Sequence, residues 1–383
     1  MSNPEHAIPF NHPCVGEREI AYVMQALVSN HLEGNGPFTQ QCQRLLSETL
    51  SVPSALLVTS GTHALEMTAL LLNVGAGDEV ILPSFTFVST VNAFVLRGAK
   101  PVFIDVRPDT LNFDERLLEP LISAHTKAIV PVHYAGVGCE MTTILEIAQR
   151  HGIPVVEDNA HGLFGKYCGQ YLGTFGALAI QSFHATKNVS CGEGGALLIN
   201  DPRFTERAEI LREKGTDRSR FFRGQVDKYT WVDVGSSYVL SDILAAMLLA
   251  QLEQRQQLQA ARQALWQRYA DGLAGWARAQ GIGLPQVPAH CEQSYHMFYL
   301  LLPSAQARTA FIAHLKARRI QSVFHYLPLH TSRMGEVFGY RQGDCPVTED
   351  ISARLVRLPF YAQLSDEDFS RISEAVLSFG AIH

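Results

Sequence analysis

From about residue 54 the chain alternates short apolar runs with stretches of helical spacing, and this limits the possible folds more than any other feature. The runs are Ala55–Thr59, Glu79–Leu82, Pro101–Ile104, Ala128–Val132, Pro154–Glu157, Ala177–Ser182 and Ala196–Ile199. Between them, Ala64–Leu72, Ser89–Leu96, Met141–Arg150 and Phe204–Arg212 repeat apolar residues at helical spacing. Repeated strand–helix alternation predicts an α/β fold, a mostly parallel sheet covered on both faces. Ligands of such sheets sit outside the carboxyl ends of the strands, so the residues that follow each run are the places to search.

The alternation stops at Gly215–Asp233, a polar and aromatic stretch whose length suggests a functional loop. Ser241–Gly275 then reads as one long helix, with Ser241 as its N-cap and Leu244, Met247, Leu248 and Leu252 on one stripe. A second lobe of α+β character is expected beyond it. Its elements are a strand at Tyr295–Leu302, a helix at Ala305–Arg318, a strand at Val323–Tyr326 and a terminal helix at Asp366–Phe379. This divides the chain into a large α/β part, 1–250, and a small α+β part, 251–383.

Composition excludes several classes. With 46% hydrophobic and 18% charged residues, the chain can bury a sizeable core and is not of the disordered type. A net charge of −6 gives no support to a nucleic-acid partner. No run approaches a membrane span, and the polar start, Met1–Pro13, does not read as a secretory signal. Seven scattered cysteines without a CxxC pair argue against metal and disulfides, and a cytoplasmic setting is expected.

Three strand ends carry chemistry. Ile153–His161 closes an apolar run with Glu157 and Asp158; alone, such an acid is more often a cap or a loop ion pair. Gln181–Gly195 places Lys187 before a turn with Gly192, Gly194 and Gly195; alone, such a lysine is usually at the surface. Thr59–Ala64 brings Ser60, Gly61, Thr62 and His63 to a helix N-terminus, which suits either a phosphate or an ordinary cap. Together, a phosphate cup, an acid and a lysine at the ends of one sheet supply what pyridoxal 5′-phosphate needs. The acid keeps the pyridine nitrogen protonated, and the lysine is the amine nucleophile.

These segments resemble the DegT-type sugar aminotransferases over nearly the whole chain. The resemblance is carried by Pro83–Phe87, His133–Gly136, Glu157–Asp158, Ser182–His184, Lys187–Asn188 and Gly192–Gly195. It implies the type I, aspartate-aminotransferase-like fold, with a seven-stranded sheet and a smaller C-terminal domain. It also implies Lys187 as the amine that holds the cofactor and shuttles the proton, Asp158 on the ring nitrogen and His161 on the phenolic oxygen. Phe87 would lie on the ring, and Ser60, Gly61, Thr62, the amide of His63, and Ser182 would hold the phosphate. Arg212–Ser237, with 106–110 and 324–330, is most similar to the dTDP-4-amino-4,6-dideoxygalactose transaminases.

That similarity implies dTDP-4-keto-6-deoxy-D-glucose as acceptor, L-glutamate as donor and a homodimer with shared sites. Amination at C3, a UDP-linked sugar, or a non-catalytic sugar sensor are the alternatives, the last disfavoured by the intact Asp158 and Lys187. Arg218, Arg220, Arg223 and Lys228 are the candidate cations for the nucleotide diphosphate, facing a partner's site; a wet loop is the ordinary reading. His325, Tyr326 and His330 would line the sugar side or simply pack. In the family, an Asn that reaches the neighbouring subunit's phosphate is followed by an Arg; here those positions hold Ser237 and Val239.

Overall fold

The computed structural model describes residues 6–380; the first five residues of the polar start and the last three of the small part lie outside the described residues. Among the described residues, nine strands precede residue 200: β1 (Ser54–Val58), β2 (Glu79–Pro83), β3 (Lys100–Ile104), β4 (Thr126–Ile129), β5 (Val156–Asp158), β6 (Lys166–Tyr167), β7 (Gln170–Tyr171), β8 (Leu178–Ser182) and β9 (Gly195–Ile199). They assemble as a four-stranded sheet, β1-β9-β8-β5, and a three-stranded sheet, β3-β2-β4. Isolated parallel bridges, Ile129 to Val155 and Val132 to Asp158, link the facing edges.

β5 runs parallel to β8, and β2 parallel to β3 and β4. β9 is the exception, antiparallel to both β1 and β8. Parallel neighbours need a long crossover, usually a helix. β8 and β9 are joined only by the loop 183–194, which holds Lys187 and no helix. The register sets Val58 and Ser182 on either side of Gly195. The carboxyl ends of β1, β5 and β8 therefore share one edge.

Side chains along β1 alternate between two cores, as the two-residue period of a strand requires. Leu56 and Val58 pack with Leu65, Leu82 and Ile180 on one face. Ala55 and Leu57 pack with Leu46, Phe183 and Leu248 on the other. The helix Gly61–Leu71 covers the first face; Pro37–Leu50 and Asp242–Glu253 supply the second.

The remaining chain adds β10 (Cys291–Glu292), which pairs with β6, and the antiparallel pair β11 (Tyr299–Leu301) and β12 (Leu355–Arg357). A separate core gathers Tyr269, Phe298, Phe311, Val356 and Phe379. Two expectations are corrected here. The long helix is two, Asp242–Glu253 and Arg255–Ala279, because Gln254 leaves helical geometry and its side-chain Nε2 donates to Glu19 Oε1 at 2.8 Å. Val323–Tyr326 forms no strand, because only Val323 bridges to Arg357. The Gly215–Asp233 stretch carries a short helix, Arg218–Phe222, and a bridge from Thr216 to Trp231. Among the described residues no helix is long and apolar enough to cross a membrane.

Candidate active site

A cavity of about 640 Å³ opens at the shared edge, and both Lys187 and Asp158 line it. Asp158 ends β5 at 5% exposure. Its Oδ2 accepts from Thr90 Oγ1 at 2.7 Å, and its Oδ1 from the amide of Ala160 at 3.2 Å. The Thr90 hydroxyl also meets Thr86 Oγ1 at 2.8 Å. A buried carboxylate held by two donors stays oriented toward the space in front of it.

Lys187 sits in the loop after β8, with its amide bonded to the His184 carbonyl at 2.9 Å. Desolvation in the cavity lowers its ammonium from 10.5 to about 8; the Asp158 carboxylate opposes this and the Arg357 guanidinium adds to it. A free amine is therefore well populated near neutral pH, as a nucleophile and proton carrier requires.

The cup follows from the register. Ser60 caps the helix Gly61–Leu71 by accepting from the His63 amide at 3.1 Å. That cap leaves the first-turn amides of Gly61 and Thr62 without partners inside the helix. Gly61 lies so close to β8 that a Cβ on it would be 3.0 Å from Ser182 Cβ. A Cβ on Gly195 would fall 2.4 Å from the Ser60 carbonyl carbon. Gly192 takes a φ of +88, which turns the loop back toward the cup. Ser60, Gly61, Thr62 and Ser182 all line the cavity.

His161 stacks on His296 with ring centroids 4.2 Å apart, and its Nε2 lies 3.5 Å from the Tyr326 hydroxyl. Its Nδ1 is buried without a partner among the described residues. Burial, with Lys187 and Arg357 adding, holds His161 well below the usual histidine range, so its ring is neutral. Phe87, 56% exposed, lies at the mouth with Tyr326, their rings 6.2 Å apart. His325 also lines the cavity, and its Nδ1 meets the Tyr134 hydroxyl at 3.1 Å.

Other expected residues lie elsewhere. The His63 amide, expected at the phosphate, already donates to Ser60 Oγ at 3.1 Å, and the His63 side chain pairs with the Thr59 hydroxyl and packs on Tyr238, away from the cavity. His330 is fully buried between Ser84 Oγ at 2.7 Å and Glu349 at 2.9 Å, so it braces a loop and does not touch the cavity. Arg220 pairs with Glu206 and Arg223 with Glu209, Arg218 lies over Phe222, and Lys228 is exposed; none of the four lines this chain's cavity. Ser237 is exposed, and Val239 packs so tightly on Gly34 that a Cβ there would meet its Cγ1 at 2.1 Å.

Sequence reasoning missed Thr90, His296 and Arg357. Thr86 and Thr90 are four apart just after β2, a spacing that puts both on one side of a helix start. Arg357 interrupts the apolar run Leu355–Tyr361, which was a signal in itself.

A part-neutral lysine facing a buried carboxylate across one cavity, beside a helix N-terminus with free amides, is the equipment of a group-transfer enzyme. The model of the DegT/DnrJ/EryC1/StrS aminotransferase family matches residues 13–377, and the chain belongs to that family. An uncharacterized protein of Methanocaldococcus jannaschii is 34% identical over 379 residues, 97% of each chain. The aminotransferase TlmJ from Streptoalloteichus hindustanus superposes with a TM-score of 0.89 at 32% identity, over 97% of this chain and 98% of that one. The provisionally assigned sugar aminotransferase Spr1654 of Streptococcus pneumoniae, in its PLP-form, gives 0.90 at 29% identity, over 97% and 99%.

Proposed function

We propose that this chain is a pyridoxal-phosphate-dependent transaminase that moves the amino group of L-glutamate to C4 of dTDP-4-keto-6-deoxy-D-glucose. The products would be dTDP-4-amino-4,6-dideoxy-D-galactose and 2-oxoglutarate. The observation that carries the transaminase reading is that Lys187 and Asp158 face one cavity beside the Ser60–Thr62 cup. The choice of sugar, nucleotide and carbon rests on the resemblance of the loop segments.

The residues fit the cofactor. Asp158, fixed by Thr90, would hold a protonated ring nitrogen. The unpartnered Nδ1 of His161 is available to the phenolic oxygen. The amides of Gly61 and Thr62, with Ser60 and Ser182, would hold the phosphate, and Phe87 would cover the ring. When bound, pyridoxal phosphate supplies an electron sink for the carbon losing its proton. Lys187 Nζ takes that proton in one half-reaction and returns it in the other, which its lowered basicity permits. Neutral His161 adds no competing positive charge.

The same reading includes a large part, 1–250, a small part, 251–383, and a homodimer with shared sites. The separate core around Tyr269 and Phe311 supports the division. Exposed Ile20, Met24, Leu27 and Val28 on one helix, and Trp231 at 76% exposure, support a partner. Arg218, Arg220, Arg223 and Lys228 would then serve the partner's diphosphate.

The test is incubation with glutamate and dTDP-4-keto-6-deoxyglucose, with the product assigned by NMR. A 4-amino-galacto product is expected. A 3-amino product, or turnover only with a UDP-linked sugar, would replace the sugar assignment; no transfer to any keto-sugar would refute the reading.

A further inference from the structure

His296 lines the same cavity as Lys187, is 3% exposed, and belongs to neither the cup nor the Lys187–Asp158 pair. Its Nδ1 lies 2.8 Å from Asn188 Oδ1. The other end of that amide settles which atom faces the ring. Asn188 Nδ2 sits 2.6 Å from the Ser294 carbonyl, which can only accept. The atom facing His296 is therefore the oxygen, which has no proton to give, so His296 carries its proton on Nδ1. An amide partner fixes a tautomer without the negative charge that would favour an imidazolium. Burial, with His161, Lys187, Arg357 and Arg262 adding, holds His296 well below the usual histidine range.

The turn that carries His296 is strained. Tyr295 takes a φ of +54, a left-handed conformation that bulky residues rarely adopt. Arg262, 4% exposed in the helix Arg255–Ala279, holds it there. Its Nε donates to the Tyr295 carbonyl at 2.9 Å and its Nη2 to the His296 carbonyl at 2.5 Å. Ser294 Oγ donates to the His161 carbonyl, and the Ser294 amide to the Gly136 carbonyl at 2.9 Å. The same turn thus grips the His161 backbone and lays the His296 ring on the His161 ring, 4.2 Å apart with 16° between planes. Such strain persists only where the surrounding structure over-determines it.

We propose that His296 is a positioning residue: fixed by Asn188 in its Nδ1–H tautomer, it lies flat on the His161 ring and holds that ring in register with the cofactor's phenolic oxygen. This rests on the transaminase reading above. A ring stacked on an anchored neighbour cannot swing without losing the contact, and the stack keeps water off one face of it. Asn188 directly follows Lys187, so the loop that carries the reacting amine also sets the His296 tautomer. The charges that bear on the two rings are the cations Lys187, Arg357 and Arg262. Of the cavity's acids, Asp158 is held by Thr90 and Ala160, and Glu193 is largely exposed. Tyr134, His325 and Tyr326, which flank His161, are uncharged near pH ~7. A protonated His161 would add one more cation to a cationic site.

The test uses full-chain holoenzyme with isotope-labelled histidine, read by long-range proton–nitrogen NMR. In wild type, His296 should carry its proton on Nδ1, and His161 should stay singly protonated from about pH 6 to about pH 8. In Asn188→Asp the new carboxylate should make His296 doubly protonated at neutral pH. In His296→Ala, His161 loses its cover and should titrate within that range, with pyridoxal phosphate bound about tenfold less tightly in equilibrium dialysis. His296→Phe keeps a flat ring; His161 should stay singly protonated and the affinity within about threefold of wild type.

A His296 proton on Nε2, an unchanged His161 in His296→Ala, or His296→Phe behaving like His296→Ala overturns the proposal. If His296→Ala does not fold, Asn188→Asp decides alone, and a His296 that stays singly protonated there overturns it. A wild type that aminates keto-sugars with His296 protonated on Nε2 sinks this inference and leaves the function standing. A wild type with the expected tautomers that passes glutamate's amine to no keto-sugar does the reverse.

Discussion

The amine of Lys187 should titrate near 8 in the cofactor-free protein, and its two charged neighbours should move that midpoint in opposite directions. An ordinary lysine is about one part in a thousand neutral at pH ~7.5. One titrating at about 8 is about a quarter neutral there. The difference between 10.5 and about 8 corresponds to at most about 3–4 kcal/mol, an upper bound because the cavity admits water. Desolvation is the largest cause, so neither neighbour should abolish it. Asp158→Asn removes the charge that favours the ammonium and should move the midpoint down. Arg357→Gln removes a charge that opposes it and should move the midpoint up. The assay is mass spectrometry of the Lys187 peptide after brief acylation, from about pH 6 to about pH 11. A wild-type midpoint at or above about 10, or two variants moving together, would falsify the account of how this amine is activated.

Three further outcomes follow from the geometry. Thr90→Val should cost about 1.5–3 kcal/mol of stability in denaturant titration, because it removes a buried hydroxyl that donates to Asp158; a loss under about 0.5 kcal/mol would contradict the assigned bond. Gly195→Ala should weaken pyridoxal phosphate binding by about tenfold or more in equilibrium dialysis, since a Cβ 2.4 Å from the Ser60 carbonyl carbon must push the cup apart; unchanged binding would place the phosphate elsewhere. In cofactor-free protein, Lys187→Met should be more stable than wild type at neutral pH. The unfolded lysine binds more protons than the folded one between about 8 and 10.5, so the penalty is full below that window and fades as pH rises through it. Unfolding curves whose gap does not close with rising pH would refute this sign.

Much of the site was readable because strand–turn–helix chemistry is local. Asp158, Lys187, Ser60, Gly61, Thr62 and Ser182 all end or follow apolar runs, and the sheet brings them to one edge. His330 was misleading because a histidine in an aromatic stretch looks the same whether it faces a ligand or, as here, braces Ser84 and Glu349. The break at Gln254 was hidden for a similar reason. No proline or glycine marks it, and its contact with Glu19 joins residues far apart in the chain.

The chain's own order of residues determined which strands end in useful groups and where glycine had to stand. It did so because those features depend on period, propensity and neighbours a few residues away. Tertiary structure alone decided that Thr90 orients Asp158, that His161 keeps a bare ring nitrogen against His296, and that Arg357 arrives beside Lys187 with no acid to meet it. Such pairings are set by packing across hundreds of residues, and the charge a buried group feels depends on everything that displaces water around it.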